Sequence, residues 1–243
     1  MFWRRTGICA GLSAREFCGI KSKVTTMKKM MAAALAAAAL TATNAQAQKG
    51  LSLEVKGIPQ FSFLQNSDDN NKSGIDRKAT FDGAFGVGAT YGISSKAGIG
   101  LDVLYSIQGQ KYEVANGTNF WKLSYVKIPL YFTYTASPAR AVSFTAKVGP
   151  QLSLLTGASI TNGEGHDLVA DMKDRYEGVT FGAVAGAGAR FRLSSNLSLN
   201  TQVRFDYDFT NAEDESYAQY PAGRAKTYNS TAGLEVGLAY RLK

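Results

Sequence analysis

Alternation with a period of two, held over more residues than a soluble strand needs, constrains this chain more than any other feature. From Leu197 to Phe209, the residues Leu197, Leu199, Val203, Phe205, Tyr207 and Phe209 share one parity. Ser198, Asn200, Gln202, Arg204, Asp206 and Asp208 share the other. Successive strand side chains point to opposite faces, so this segment is apolar on one side and charged on the other. The last segment repeats the pattern, with Ala232, Leu234, Val236, Leu238, Tyr240 and Leu242 against Asn229, Thr231, Glu235 and Arg241. Such lengths suit a tilted strand crossing a bilayer.

The amino-terminal region reads separately. Met27-Lys28-Lys29 opens a basic segment, Met30 to Leu40 is a short Ala-rich apolar run, and Ala45-Gln46-Ala47 supplies small residues for cleavage before Gln48. That order predicts a signal peptide over 27–47, too short in its apolar part to span as a helix. Residues 1–26 read as an extension upstream of the true start, with no ordered structure expected. Without the first 47 residues, 196 remain, carrying 20 Lys/Arg and 18 Asp/Glu. The near-neutral balance of +2 removes the basis for a nucleic-acid partner. Both cysteines, Cys9 and Cys18, precede the cleavage point, so the exported domain, 48–243, is expected to hold together without disulfides.

Eight strand candidates follow, at 50–64, 81–93, 98–112, 121–135, 141–156, 178–193, 197–211 and 228–243. Longer polar connections at 65–80, 113–120, 157–177 and 212–227 alternate with tight turns at 94–97, 136–140 and 194–196. Membrane barrels show this asymmetry, with short turns on the periplasmic side. In the fourth segment, Val126, Ile128, Leu130, Phe132 and Tyr134 form one row, assigned to lipid because the opposite row contains Lys127. Trp121, Leu123 and Tyr125 sit off that pattern. Pro129 predicts a local irregularity and Gly149-Pro150 a bend. Aromatic residues toward strand ends, including Phe61, Phe63, Tyr105, Tyr134, Tyr207, Phe209 and Tyr240, predict interfacial girdles.

A soluble lipocalin-like barrel also alternates, with its apolar face inside. Strand length, loop asymmetry and the ending Glu235-Val236-Gly237-Leu238-Ala239-Tyr240-Arg241-Leu242 favour the inverted version. That ending resembles the terminal signal read by the barrel-assembly machinery. The predicted fold is therefore all-β, an eight-stranded antiparallel up-and-down transmembrane β-barrel in the outer membrane.

The third to fifth segments carry a family resemblance. Gly100-Leu101-Asp102-Val103-Leu104-Tyr105-Ser106-Ile107-Gln108-Gly109, then Leu123-Ser124-Tyr125-Val126-Lys127-Ile128-Pro129-Leu130, then Gly149-Pro150-Gln151-Leu152-Ser153-Leu154-Leu155 occur in order. They resemble the PorT-like outer-membrane β-barrels of the Bacteroidetes. The resemblance implies an outer-membrane location and an eight-stranded barrel. It implies no single function, since the named member assists protein secretion and most relatives have no assigned role. Lys127 stands where relatives often carry an acid.

The expected lumen-facing set is Glu54, Lys56, Asp102, Lys122, Lys127, Lys147, Arg190, Arg192, Arg204, Asp206, Asp208, Glu235 and Arg241. Eight strands enclose an interior that side chains fill, so these charges are expected to pair into a polar plug. A gated ion pathway is the alternative. His166, the sole histidine, lies in the loop Gly163-Glu164-Gly165-His166-Asp167 and lacks a serine motif that would make it the base of a hydrolase or acyltransferase. Asp69 to Asp76 resembles half a calcium loop, but Thr80 replaces the bidentate Glu, so a solvated turn is expected. The loop 212–227 sets Tyr217, Tyr220, Pro221 and Arg224 among acids, a mixture suited to a protein partner or lipopolysaccharide.

The expected function is thus a non-enzymatic envelope or secretion-associated barrel acting through its outer loops, with no cofactor. A narrow channel or small-solute transporter is the alternative reading. Expected partners are outer-membrane lipids, the barrel-assembly machinery and a protein docking on the loops.

Overall fold

The computed structural model describes residues 50–70, 76–114 and 117–242. The predicted leader, 1–47, lies outside the described residues. Among the described residues, nine strands alternate with turns: β1 (Leu51–Gln65), β2 (Asp76–Gly92), β3 (Ala97–Val114), β4 (Gly117–Thr135), β5 (Val142–Asn162), β6 (Asp167–Val169), β7 (Val179–Arg192), β8 (Leu197–Asp208) and β9 (Tyr228–Arg241). A short helix, α1 (Ser67–Asn70), follows β1. Neighbouring strands pair antiparallel throughout, β4 pairs β5, and β1 pairs β9, so the sheet closes on itself. The three-residue β6 only extends a hairpin from the end of β5, which leaves eight strands in the ring. Closure gives every wall strand two partners, the condition for a sheet immersed in lipid.

The faces are inverted relative to a soluble barrel. Leu53, Val55, Phe61 and Phe63 of β1 point out and are exposed, while Glu54, Lys56, Gln60 and Ser62 point in and are buried. The same division holds in β9, where Leu234, Val236, Leu238 and Tyr240 face out and Glu235 faces in. In β4, Leu130, Phe132 and Tyr134 are exposed, and Leu123, Tyr125, Lys127 and Tyr131 are buried. Aromatic rings gather in a band toward the long-loop end. Phe61 meets Phe81 at 5.1 Å, Phe85 meets Tyr105 at 5.7 Å and Tyr207 meets Phe209 at 5.6 Å between centroids. Tyr91, Tyr134 and Tyr240 mark the other band, close to the short turns.

Several boundaries differ from those expected. The long connection predicted at 113–120 does not exist, because β3 and β4 stay paired up to Val114 opposite Gly117. Likewise β2 begins at Asp76 and β5 runs on to Asn162. These extensions project beyond the outer apolar band, where strict alternation of apolar and polar residues fades. Their composition then reads as loop although the backbone ladder continues.

Irregularities fall close to the predicted points. Pro129 keeps its register opposite Gln151 of β5, while the ladder to β3 lapses between Lys127 and Leu130. A proline has no N–H to give that side. Gly149-Pro150 does not interrupt β5, which stays paired with Val184 and Ala183 of β7. The register shift between β4 and β5 lies elsewhere, at Ser124/Tyr125, and another separates Ala79 from Ala84 in β2.

Candidate functional site

The described part of the lumen holds four buried cations, Lys56, Lys127, Lys147 and Arg204, and five buried acids, Glu54, Asp102, Asp206, Asp208 and Glu235. Lys56 Nζ lies 2.9 Å from Asp102, 3.2 Å from Glu54 and 3.4 Å from Glu235. Lys147 sits 2.6 Å from each carboxylate oxygen of Glu235. Arg204 spreads its guanidinium over Glu235 at 3.0 Å, Asp206 at 2.8 Å and the Gln151 side-chain oxygen at 3.0 Å. Lys127 completes the set at 3.0 Å from Asp206. The Tyr131 hydroxyl donates to Asp102 at 2.9 Å and accepts from Lys56 at 3.1 Å, and Lys147 lies 4.9 Å from its ring centre. Asp208 joins through Thr180, whose hydroxyl donates to it at 2.9 Å.

Glycines on the inward parity make room for these long side chains. A Cβ on Gly88 would overlap the Asp102 carboxylate, one on Gly237 would overlap Glu54, and one on Gly100 would overlap the Tyr131 ring. The pairs form side to side across the bore, which they fill. Such a layer adds little net stability against an apolar core, but losing one partner strands a buried charge.

Three of the residues expected in this layer lie elsewhere. Lys122 is exposed, because it shares parity with the outward Val126 row. Arg192 and Arg241 are exposed at the short-turn mouth, where the strands end and the bore opens. Arg192 donates there to the Pro138 and Arg140 carbonyls. Arg190 is half-buried just inside and donates to Ser198 at 3.2 Å. Together with Lys96 the three arginines line a vestibule of about 320 Å³.

The other end is closed by an apolar cluster. Leu64, Leu123, Tyr125, Ala158, Met172 and Tyr176 are buried together, with Trp121 packed against them. The row of β4 that broke the alternation, Trp121-Leu123-Tyr125, is therefore the inward face of an apolar plug. Met172 and Tyr176 come from the segment after β6, which folds down over the bore.

Above the plug, the loops are tied to one another. The Glu177 N–H donates to the Ala212 carbonyl at 2.9 Å and the Asp214 N–H to the Arg175 carbonyl at 3.0 Å, a short ladder centred on Tyr176 and Glu213. Arg224 forms two forks, with Glu213 at 2.6 and 2.8 Å and with Asp69 of α1 at 2.9 and 3.0 Å. Bidentate pairs of this kind are strong and orient their partners. These hydrogen bonds hold the Arg224 guanidinium above its ordinary value. Burial raises the Tyr176 phenol, with the Glu213 charge adding to it. Partial desolvation, then the neighbouring Asp214 and Glu215 charges, raise the Glu177 carboxyl.

This scaffold encloses a cup of about 410 Å³, within the range of small-ligand pockets, ~300–1,000 Å³. Its walls are the rings of Tyr112, Trp121, Tyr176, Tyr217 and Tyr220. Tyr112 and Trp121 meet at 5.3 Å with their planes 52° apart. The Arg175 guanidinium lies 5.6 Å from the centre of the Tyr217 ring. Asn119 and Gln219 add amides to the lining.

Of the two weaker motifs, His166 stays outside this cup and the calcium-like segment contributes Asp69 to its wall. His166 is exposed in the β5–β6 turn, where its N–H donates to the Asn162 side chain at 2.8 Å and its carbonyl accepts from the Asn162 N–H at 2.9 Å. Of the calcium-like segment, Asp69 has both oxygens engaged by Arg224, and 71–75 lie outside the described residues. The cup itself was not assembled from sequence. Its signals were the off-parity Trp121 and the aromatic composition of 212–227, which no spacing rule joins.

A family model described as "outer membrane protein beta-barrel domain" matches residues 30–241. Among solved structures, the chain is similar to outer membrane protein OprG from Pseudomonas aeruginosa, at 12% identity and TM-score 0.49, covering 80% of this chain and 97% of that one. It is also similar to a major outer membrane protein from Thermus thermophilus, at 15% identity and TM-score 0.47, covering 80% and 99%. Neisserial surface protein A matches at 12% identity and TM-score 0.46, covering 79% and 97%. No curated protein matches the chain.

Proposed function

Because the chain belongs to the outer membrane protein β-barrel domain family and resides in the outer membrane, we propose that it is a sealed, non-catalytic barrel that acts by binding at its long-loop face. The observation that carries this reading is the double closure of the bore. A layer of paired charges fills its middle, with Arg204 and Glu235 each about 2% exposed in their side chains. An apolar plug of Met172, Tyr176, Leu123 and Tyr125 closes the loop end above it. Work at such a barrel falls to its outer face, and here that face is a braced cup. The order of Tyr105, Ile128-Pro129-Leu130 and Gly149-Pro150 supports a PorT-like, secretion-associated setting for that binding.

Planar-bilayer recording of the purified protein tests the seal. No resolved steps above the bare-membrane baseline are expected under an applied potential, and steady unitary steps would overturn it in favour of a narrow channel. Crosslinking in native outer membranes tests the setting: a stoichiometric protein partner captured through 212–227 is expected, and recovery of the bare barrel alone would reject the secretion-associated role.

A further inference from the structure

We propose that the outer cup is a binding site for an acidic saccharide, with a sugar ring lying on the Tyr112–Trp121 platform and its carboxylate taken by Arg175. The inference rests on the reading of the loop face as the working surface and names the ligand class that this surface fits.

The cup's four charged lining residues balance, and it is the way they pair that points to an anion. Asp69 and Glu213 both line it, yet Arg224 grips both carboxylates in bidentate forks. That leaves Arg175, which forms no ion pair among the described residues and is held over the Tyr217 ring. A guanidinium stacked on an aromatic face keeps its edge N–H groups free, and that edge matches a carboxylate in two parallel hydrogen bonds. Charge alone would fit many anions. The walls narrow the choice.

Two adjoining rings offer broad, rigid apolar faces with little conformational entropy to lose. A pyranose presents a matching C–H face, with hydroxyls around its rim. Asn119 and Gln219 place amides, each with donors and an acceptor, at the cup wall where those hydroxyls would lie. The site is also built before any ligand arrives. The β-ladder between 175–177 and 212–214 fixes Arg175, and the Arg224 forks anchor the loop carrying Tyr217 and Tyr220. Preorganisation of this sort lowers the cost of binding. The floor is the apolar plug, since Trp121 and Tyr176 belong to both. The cup therefore holds a ligand without passing it into the lumen.

Tryptophan occurs only at positions 3 and 121, so in a Trp3→Phe background the emission comes from the cup wall alone. The full chain in that background, purified from outer membranes in detergent, is titrated with three probes. Trigalacturonic acid carries ring and carboxylate, maltotriose the ring without the charge, and hexaglutamate the charge without the ring. Saturable change in Trp121 emission with trigalacturonic acid is expected, at least about tenfold tighter than with either other probe. Arg175→Ala and Tyr217→Ala should each weaken it by roughly tenfold or more. Arg192→Ala, at the opposite mouth, should leave it unchanged. Heat-modifiable gel migration confirms the folded barrel for each variant.

No saturable change, equal binding of maltotriose or hexaglutamate, or full binding by the Arg175→Ala protein would overturn the proposal. Bilayer recording on the same preparation separates the two readings. A silent barrel that ignores trigalacturonic acid rejects the saccharide alone, whereas unitary steps reject the seal.

Discussion

Glu235 is the residue on which the lumen balances, because it is shared by Lys56, Lys147 and Arg204 at 3.4, 2.6 and 3.0 Å. Glu235→Leu removes the acid that Lys147 pairs with, while Lys56 keeps Asp102 and Glu54 and Arg204 keeps Asp206. Removing one member of a buried pair typically costs about 3–5 kcal/mol. A loss of that order is expected in the urea unfolding free energy of the barrel in lipid, and a loss under about 1 kcal/mol would show that water screens the layer. Gly100→Val should also destabilise, since its side chain would occupy the space of the Tyr131 ring that Lys56 and Lys147 adjoin. Parity alone was enough to place Glu54, Lys56, Asp102, Lys147, Arg204, Asp206, Asp208 and Glu235 inside. It could not report depth: Arg192 and Arg241 have inward parity but stand at the mouth, and only the position of a residue along the barrel axis separates the two cases. Lys122 has the parity of Val126 and accordingly stands outside.

Elements beyond the apolar band behave differently from those within it. Inside the band, polarity alternates because lipid and lumen demand opposite surfaces, and the strands could be read off residue by residue. Beyond it, the hairpin of β3 and β4 and the end of β5 are held by backbone ladders and cross-strand pairs, and Tyr112, Asn119 and Ser159 carry no alternating code. The loop ladder between 175–177 and 212–214 has a pH dependence of its own. The Glu177 carboxyl titrates above its ordinary value of 4.5 in the folded loop. A folded form that holds a proton more tightly than the unfolded one gains stability as pH falls through the interval between the two values, and loses it as pH rises. Hydrogen exchange at the Glu177 and Asp214 amides, corrected for intrinsic rates, should therefore show greater protection at about pH 5 than at about pH 8. Glu177→Gln should abolish the difference, and a ladder equally protected at both pH values would contradict this account. Arg224→Ala should raise exchange across the same ladder at every pH, because both forks are lost together.

At the scale of the whole molecule, the barrel is a wall that is apolar outside, filled with paired charges inside and closed at one end by its own loops. That division of labour was legible early, from alternation and from the run of short and long connections, because both are imposed by the bilayer along the entire chain. The cup was not, since it depends on three loops meeting in space, two of them through Arg224 and the third through the ladder at 175–177 and 212–214. One feature of the wall bears on time as well as on shape. The seam of the ring joins β1, the first strand of the barrel in the chain, to β9, the last. β1 is synthesised first, yet its second neighbour is the last strand to be made. Throughout export it has at most one partner in the sheet, β2, and an unpaired edge open to any other chain. The schedule of synthesis thus runs opposite to the order in which the ring can close. For that whole interval the edge of β1 is the place where pairing with another chain would begin.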